Sequence, residues 1–183
     1  MGSSSNSGQR AAEQAERERQ AQISATQARV NQIFDSPDRA AQRDQFGAAL
    51  RDLFNQDLQR QKGVADRDLK FALARSGQIG GSRQIDAGRT MGEEYQRGVL
   101  EAERRAQGGV ADLMSRDEQS RLQLAGLAQS GTNVTAAAPQ AAGALRANLE
   151  SASADARAGG LGDWFGSVAE DKRASDTAAV TRR

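Results

Sequence analysis

A glycine-rich turn between two long helical patterns is the feature that most constrains the fold of this chain. The first pattern ends at Gly77, where glycine can take the left-handed conformation that closes a helix. Gly80 and Gly81 permit a sharp reversal of the backbone, and Ser82 suits the N-cap of the next helix. The sequence therefore predicts two long helices that fold back on each other as a hairpin, with the turn at residues 77–82.

Large apolar side chains are scarce. Only 29 of the 183 residues are Leu, Ile, Val or Phe, which is too few to fill one large globular core. The net charge of +1 argues against an extended, self-repelling chain, and the many Ala, Gln, Glu and Arg residues favour helix. We therefore expect an elongated all-α protein whose helices pack mainly against neighbouring subunits.

The composition also limits the chemistry. The chain contains no cysteine and no histidine, which excludes disulfides, thiolate nucleophiles, histidine-based catalysis and histidine-bearing metal sites. Carboxylate pairs such as Glu93-Glu94 and Glu101/Glu103 occur on the third helical pattern. Because arginines follow them at helical spacing, we expect them to form surface ion pairs with Arg97, Arg104 and Arg105. We predict no catalytic residue, no cofactor and no metal.

The order of segments along the chain predicts four helices with flexible ends. Ser36 and Pro37 form a stop and a restart, because proline cannot continue a helix but suits the first turn of the next. The predicted organisation is a polar flexible arm at 1–8, a helical region at 9–129 with helices at about 9–34, 37–76 and 83–129, an Ala-rich helix with linkers at 130–160, and an aromatic segment with a polar tail at 161–183.

The third helix carries a stripe of mostly small residues at heptad spacing. These residues alternate three and four apart, which is the spacing of a coiled coil. Small residues let a neighbouring helix approach closely, but each glycine lowers helix propensity by about 0.8–1 kcal/mol, so we infer that another helix packs along this seam. The predicted seam residues are Ile85, Gly88, Gly92, Tyr95, Val99, Ala102, Ala106, Gly109 and Leu113.

Two further sets of side chains are candidates for contact with partners. Trp164 and Phe165 form an aromatic pair in a short segment flanked by glycine. We interpret the pair as a partner anchor, with docking onto the chain's own helices and membrane insertion as alternatives. The arginines, which greatly outnumber the lysines, suit contacts to carboxylates of neighbouring subunits, with DNA phosphates as the alternative.

The stretch Leu69-Lys-Phe-Ala-Leu-Ala-Arg-Ser-Gly-Gln-Ile-Gly-Gly-Ser82 also carries a family resemblance. Together with the helices before and after it, over about residues 1–130, it resembles the small internal virion or head-tail structural proteins of short-tailed bacteriophages. Members commonly carry an Ala-Leu-Ala-Arg-Ser-Gly-type motif and end with a short aromatic-containing segment. This chain departs from that pattern at Asp35-Ser-Pro37, Gly47 and Gly63.

The resemblance implies a non-enzymatic, multimeric component of a phage particle, at the head-tail junction or in the capsid interior. Such a protein would contact portal and tail-adaptor or tail-tube proteins, and would help to seal or extend the DNA exit channel. Transient contact with DNA, and with the host envelope during ejection, is also implied. Two other readings remain open from the residues alone: a membrane-active helical protein, and a free-standing coiled-coil adaptor.

Overall fold

The computed structural model describes residues 4–77, 80–130 and 136–160, and 94% of these residues are helical. No strand occurs among the described residues, so the all-α prediction is confirmed. The four helices are α1 (Ser4–Phe34), α2 (Pro37–Arg75), α3 (Ser82–Gln129) and α4 (Ala137–Gly159).

The helix bounds lie close to the predicted ones, except at the start of α1. This helix begins at Ser4, so residues 4–8 belong to a helix and not to the predicted arm. The junction between α1 and α2 forms as expected: Ser36 Oγ accepts a hydrogen bond from the backbone N of Arg39 at 3.2 Å, and Pro37 is the first residue of α2. Residues 1–3, 78–79, 131–135 and 161–183 lie outside the described residues.

The chain divides into two compact units, of which the first comprises Met1–Gln45 and Val110–Ala154. In this unit α1 and the first turns of α2 pack with the second half of α3 and with α4. Alanine supplies a third of its apolar cluster, so helix backbones approach closely and little area is buried per residue. The cluster consists of Val30, Phe34, Leu124, Ala137, Ala141 and Leu145, with Ile33 packed against it.

The second unit comprises Phe46–Gly109 and Asp155–Arg183, of which the part after Gly160 is outside the described residues. Its α2 and α3 segments meet at three points. The Arg51 and Glu103 side chains form an ion pair at 3.1 Å, and the Lys62 ammonium lies 5.9 Å from the Tyr95 ring centroid. The third is the close approach of Leu50 to Gly109. The buried apolar side chains are Phe46, Leu50, Phe54, Leu58, Leu73, Met91, Ala102 and Ala106.

Burial along α3 repeats every eleven residues, whereas the sequence predicted a seven-residue repeat. Met91, Ala102, Leu113 and Leu124 are 2%, 1%, 0% and 7% exposed and lie eleven positions apart. An eleven-residue repeat corresponds to about 3.67 residues per turn and a heptad repeat to 3.5. The predicted seven-residue stripe and the observed eleven-residue stripe therefore coincide in the middle of the helix. They separate towards its start, where the described structure buries Met91 and Gly98.

Adjacent glycines on α3 give a matched test of this packing. A Cβ added at Gly108 meets no atom within 4 Å, whereas one added at Gly109 would lie 2.6 Å from Leu50 Cδ1. We expect Gly108→Ala to raise the free energy of unfolding by about 0.5–1 kcal/mol through helix propensity. Gly109→Ala gains the same propensity but must displace a buried leucine, so we expect it to be less stable than Gly108→Ala by about 1–3 kcal/mol.

Urea unfolding followed by circular dichroism measures both substitutions against the parent chain. An equal gain in stability for Gly108→Ala and Gly109→Ala would contradict the close approach of α2 to α3 at Leu50.

Candidate functional site

The turn residues predicted from the sequence adopt the conformations that glycine makes accessible. Gly77 and Gly80 have φ angles of 66° and 83°, in the left-handed region that favours glycine. Gly77 N donates to Ala74 O at 3.2 Å and so ends α2, while Gly80 N donates to the Gln84 side-chain Oε1 at 2.7 Å. Because α3 begins at Ser82, Gly81 occupies the N-cap position that we had assigned to Ser82.

The predicted seam is buried in the middle of α3 and exposed near its start. Ala102, Ala106 and Leu113 are buried, and Gly92, Tyr95 and Gly109 are half-buried. Ile85 is 72% exposed and Val99 37% exposed, and a Cβ at Gly88 would meet nothing within 4 Å. The start of the seam, at Ile85 and Gly88, is therefore exposed in the described part of this chain, and its contact with another subunit stays a prediction.

Glu94 and Glu101 form ion pairs that the sequence predicted, whereas Glu93 pairs with Arg89 instead. Glu94 accepts from Arg97 at 2.7 Å, and Glu101 pairs with Arg104 and Arg105 at 2.5 and 3.1 Å. Glu103 pairs with Arg51 of α2. These arginine side chains are 39% exposed or more, so each pair contributes a few tenths of a kcal/mol and stabilises the helix surface only slightly.

A buried polar cluster in the first unit is the main feature that the sequence reasoning missed. Arg39 of α2 and Asp117 of α3 form a bidentate ion pair with side-chain exposures of only 1% and 3%. Arg39 Nε donates to Asp117 Oδ2 at 2.8 Å and Nη2 donates to Oδ1 at 2.7 Å. The third guanidinium nitrogen, Nη1, donates to Gln42 Oε1 at 2.9 Å, so every guanidinium nitrogen of Arg39 has a partner.

Two more side chains connect this cluster to α4 and α1. Asn148 Nδ2 on α4 donates to Asp117 Oδ1 and to Ser120 Oγ, both at 3.1 Å. Arg43 Nη2 donates to the backbone O of Phe34 at 3.3 Å, which satisfies a carbonyl in the last turn of α1. Arg43 Nε lies 3.5 Å from Asp117 Oδ2 and makes no hydrogen bond within the described residues. Side chains of α2, α3 and α4 therefore meet at the Asp117 carboxylate, and Arg43 links this carboxylate to the end of α1.

The sequence contained a signal for this cluster. Asp117 falls in the apolar stripe of α3, four residues after Leu113, and a carboxylate in such a place needs a buried cation. The partner could not be read from spacing, because Arg39 lies 78 positions earlier in the chain. Arg39 and Gln42 also line an open groove at the corner between α1 and α2. Because the Arg39 and Asp117 side chains are buried and paired with each other, the geometry of the cluster is that of a structural element.

Two open grooves lie on the surface, one in each unit. The first, of about 640 Å³, lies at the corner between α1 and α2 and reaches α4 at Leu145. The second, of about 540 Å³, lies beside the turn between α2 and α3, where Phe71 is 67% exposed.

Trp164 and Phe165, the predicted partner anchor, lie outside the described residues, so the structure gives no contacts for them. Within residues 4–77, 80–130 and 136–160 no group of three or more acidic side chains could hold a metal ion. No helix in the described ranges is both long enough and apolar enough to cross a membrane. The chain matches no protein-family model, no curated protein and no solved structure.

The buried ion pair gives a direct prediction for stability. Asp117→Asn preserves the shape of the side chain but leaves the Arg39 charge buried without a counterion. We expect it to lower the free energy of unfolding by about 3–5 kcal/mol, because a lone buried charge is strongly destabilising. The neighbouring exposed change Glu118→Gln removes the same charge and should stay within about 0.5 kcal/mol of the parent chain.

Replacing both partners separates the charge effect from the packing effect. The pair Arg39→Met and Asp117→Leu removes both charges at similar volume, so we expect it to recover most of the stability lost in Asp117→Asn. Thermal unfolding of the four chains measures this. A loss in Glu118→Gln as large as that in Asp117→Asn would show that the buried pair has no special role.

Proposed function

We propose that this protein is a non-enzymatic, multimeric structural component of a phage particle, acting at the head-tail junction or as an internal ejection component. The observation that carries the proposal is the first part of the α3 seam, which stays exposed although its residues are apolar or small. Ile85 and Val99 present apolar side chains there, and Gly88 leaves room for a close neighbour. The resemblance of residues 69–82 to small virion proteins supplies the particle context.

We also propose that α2 and α3 form a hairpin within the second unit. The contacts that support it run in opposite directions along the two helices: Leu50 lies at Gly109, Arg51 at Glu103 and Lys62 at Tyr95. Residues later in α2 therefore contact residues earlier in α3, which is the order of contacts in an antiparallel pair of helices. The left-handed Gly77 and Gly80 supply the reversal between the two helices.

Copies of such a hairpin suit assembly around a channel. Mixed charges along its surface, paired mostly within one helix, give no single-sign field that would hold passing DNA. Small residues on the exposed seam let a second copy approach closely, as they do at other helix interfaces. The role proposed is to line, seal or extend the DNA exit channel, in contact with portal and tail proteins.

Particle composition tests the proposal directly. Phage particles purified from cells that express this gene should contain the chain in multiple copies, because the proposed role is structural. Quantitative mass spectrometry of gradient-purified particles, before and after DNA ejection, measures its copy number and whether it leaves with the DNA. If the protein is absent from the particles but abundant in uninfected cells, the free-standing coiled-coil adaptor is favoured instead.

The exposed seam gives a second prediction. Gly88→Arg together with Gly92→Arg places two bulky side chains on the seam, at positions where an added Cβ meets no atom within 4 Å. We expect the monomer to keep its helicity and self-association to weaken by at least about tenfold, because close approach is blocked.

Gly126→Arg is the matched control, since Gly126 also lies in an open, exposed position of α3 but not on the seam. Sedimentation velocity and circular dichroism measure the parent chain and both variants. Unchanged association of the Gly88→Arg, Gly92→Arg chain would exclude the seam as a subunit contact.

A further inference from the structure

The groove beside the α2–α3 turn combines an apolar surface with unpaired positive charge. It is lined by Arg67, Lys70, Phe71, Leu73, Ala74 and Gln84 and encloses about 540 Å³. Phe71 is 67% exposed, which is high for a phenylalanine, whereas Leu73 in the same lining is buried. An exposed aromatic ring in a groove of this size marks a contact surface.

The groove carries two positive charges and no negative one among its lining residues. Neither Arg67 nor Lys70 forms an ion pair with any residue in the described part of the chain. By contrast, Lys62, two turns earlier, is held by Asp66 at 2.9 Å. The occupant that fits this groove therefore has apolar side chains together with carboxylates.

One segment of this chain has that chemistry. Residues 161–171 read Leu-Gly-Asp-Trp-Phe-Gly-Ser-Val-Ala-Glu-Asp, with three carboxylates and no basic residue. The large apolar residues Leu161, Trp164, Phe165 and Val168 recur at i, i+3, i+4 and i+7, the spacing at which a helix presents anchors to a groove.

The backbone between Gly160 and the aromatic pair is short compared with the distance to the groove. The segment starts after Gly160, whose carbonyl accepts a hydrogen bond from Arg105 of α3. Arg105 and Gln84 are 21 positions apart on α3, which corresponds to about 31 Å along a helix. From Gly160 to Trp164 a fully extended chain spans at most about 14 Å. Backbone reach therefore favours a second copy as the source of the aromatic pair.

We propose that residues 161–171 of one copy dock into the groove at Arg67, Lys70 and Phe71 of another. Trp164 and Phe165 lie against Phe71, and the carboxylates of the segment pair with Arg67 and Lys70. The inference rests on the proposed multimeric role, and it gives the predicted aromatic anchor a binding site on the same protein.

The single tryptophan of the chain reports on this contact. In the full-length protein at high concentration we expect blue-shifted Trp164 emission and weak quenching by acrylamide, and dilution should reverse both. Reversing the groove charges with Arg67→Glu and Lys70→Glu should expose Trp164 and increase its quenching several-fold. Arg17→Glu with Arg19→Glu, which makes the same charge change on the exposed surface of α1, should leave the quenching unchanged.

Mixing two variants tests whether the contact forms between copies. A chain with Trp164→Ala and Phe165→Ala is dark in tryptophan emission but keeps its groove. Added to the Arg67→Glu, Lys70→Glu chain, it should protect that chain's Trp164 again. The proposal is overturned if quenching is unchanged by the groove substitutions, if protection persists on dilution, or if the mixture gives no recovery.

Folding is checked by circular dichroism, and Phe71→Ala serves as a second groove variant that leaves the charge unchanged. This change should also expose Trp164, and full protection in it would contradict the proposal. Failure here is distinguishable from failure of the proposed function. Particle composition does not depend on the tryptophan signal, and the tryptophan signal is measured without any phage component.

Discussion

The bidentate pair between Arg39 and Asp117 is the interaction on which the first unit depends. Dispersion between alanines and a few large apolar residues gives helices little reason to choose one register over another, because small side chains interdigitate weakly. A buried charge pair is different, since any slip leaves both charges without a partner at a cost of several kcal/mol. Asn148 and Arg43 extend the same constraint to α4 and to the end of α1. We infer that this cluster contributes specificity of packing more than net stability.

Unlike the buried ion pair, the glycines of α3 weaken the helix in which they lie, and they permit close contact between helices. At Gly109 the absence of a Cβ admits the side chain of Leu50, so close contact with α2 depends on a residue that weakens the helix itself. Most other helical glycines have open space where a side chain would lie. These positions lower helix propensity and gain no contact within the described part of the chain, which fits the proposed contact of the α3 seam with a neighbouring subunit. The same reasoning applies to the exposed Ile85 and Phe71.

Local sequence signals predicted most of the helix ends. The ends of α2 follow from Ser36, Pro37 and Gly77, because capping and backbone conformation depend on adjacent residues. The start of α1 was placed too late, since a polar segment rich in serine carries no apolar periodicity. The predicted seam coincides with the buried positions of α3 where the 3.5- and 3.67-residue periods agree, and differs from them near Met91, where the periods have separated. The pairing of Arg39 with Asp117 depends on tertiary structure, which no spacing along the chain encodes.

The type of contact between copies limits the assemblies that can form. A segment after Gly160 and a groove at the α2–α3 turn are two different surfaces, so their contact is heterologous. Each copy that donates its segment still has a free groove, and association continues until the rotation between copies closes a ring or an open filament grows. A closed ring is the form that could surround a DNA channel. In the proposed assembly, the small-residue seam sets how closely neighbours approach, and the docked segment sets the direction in which they follow one another.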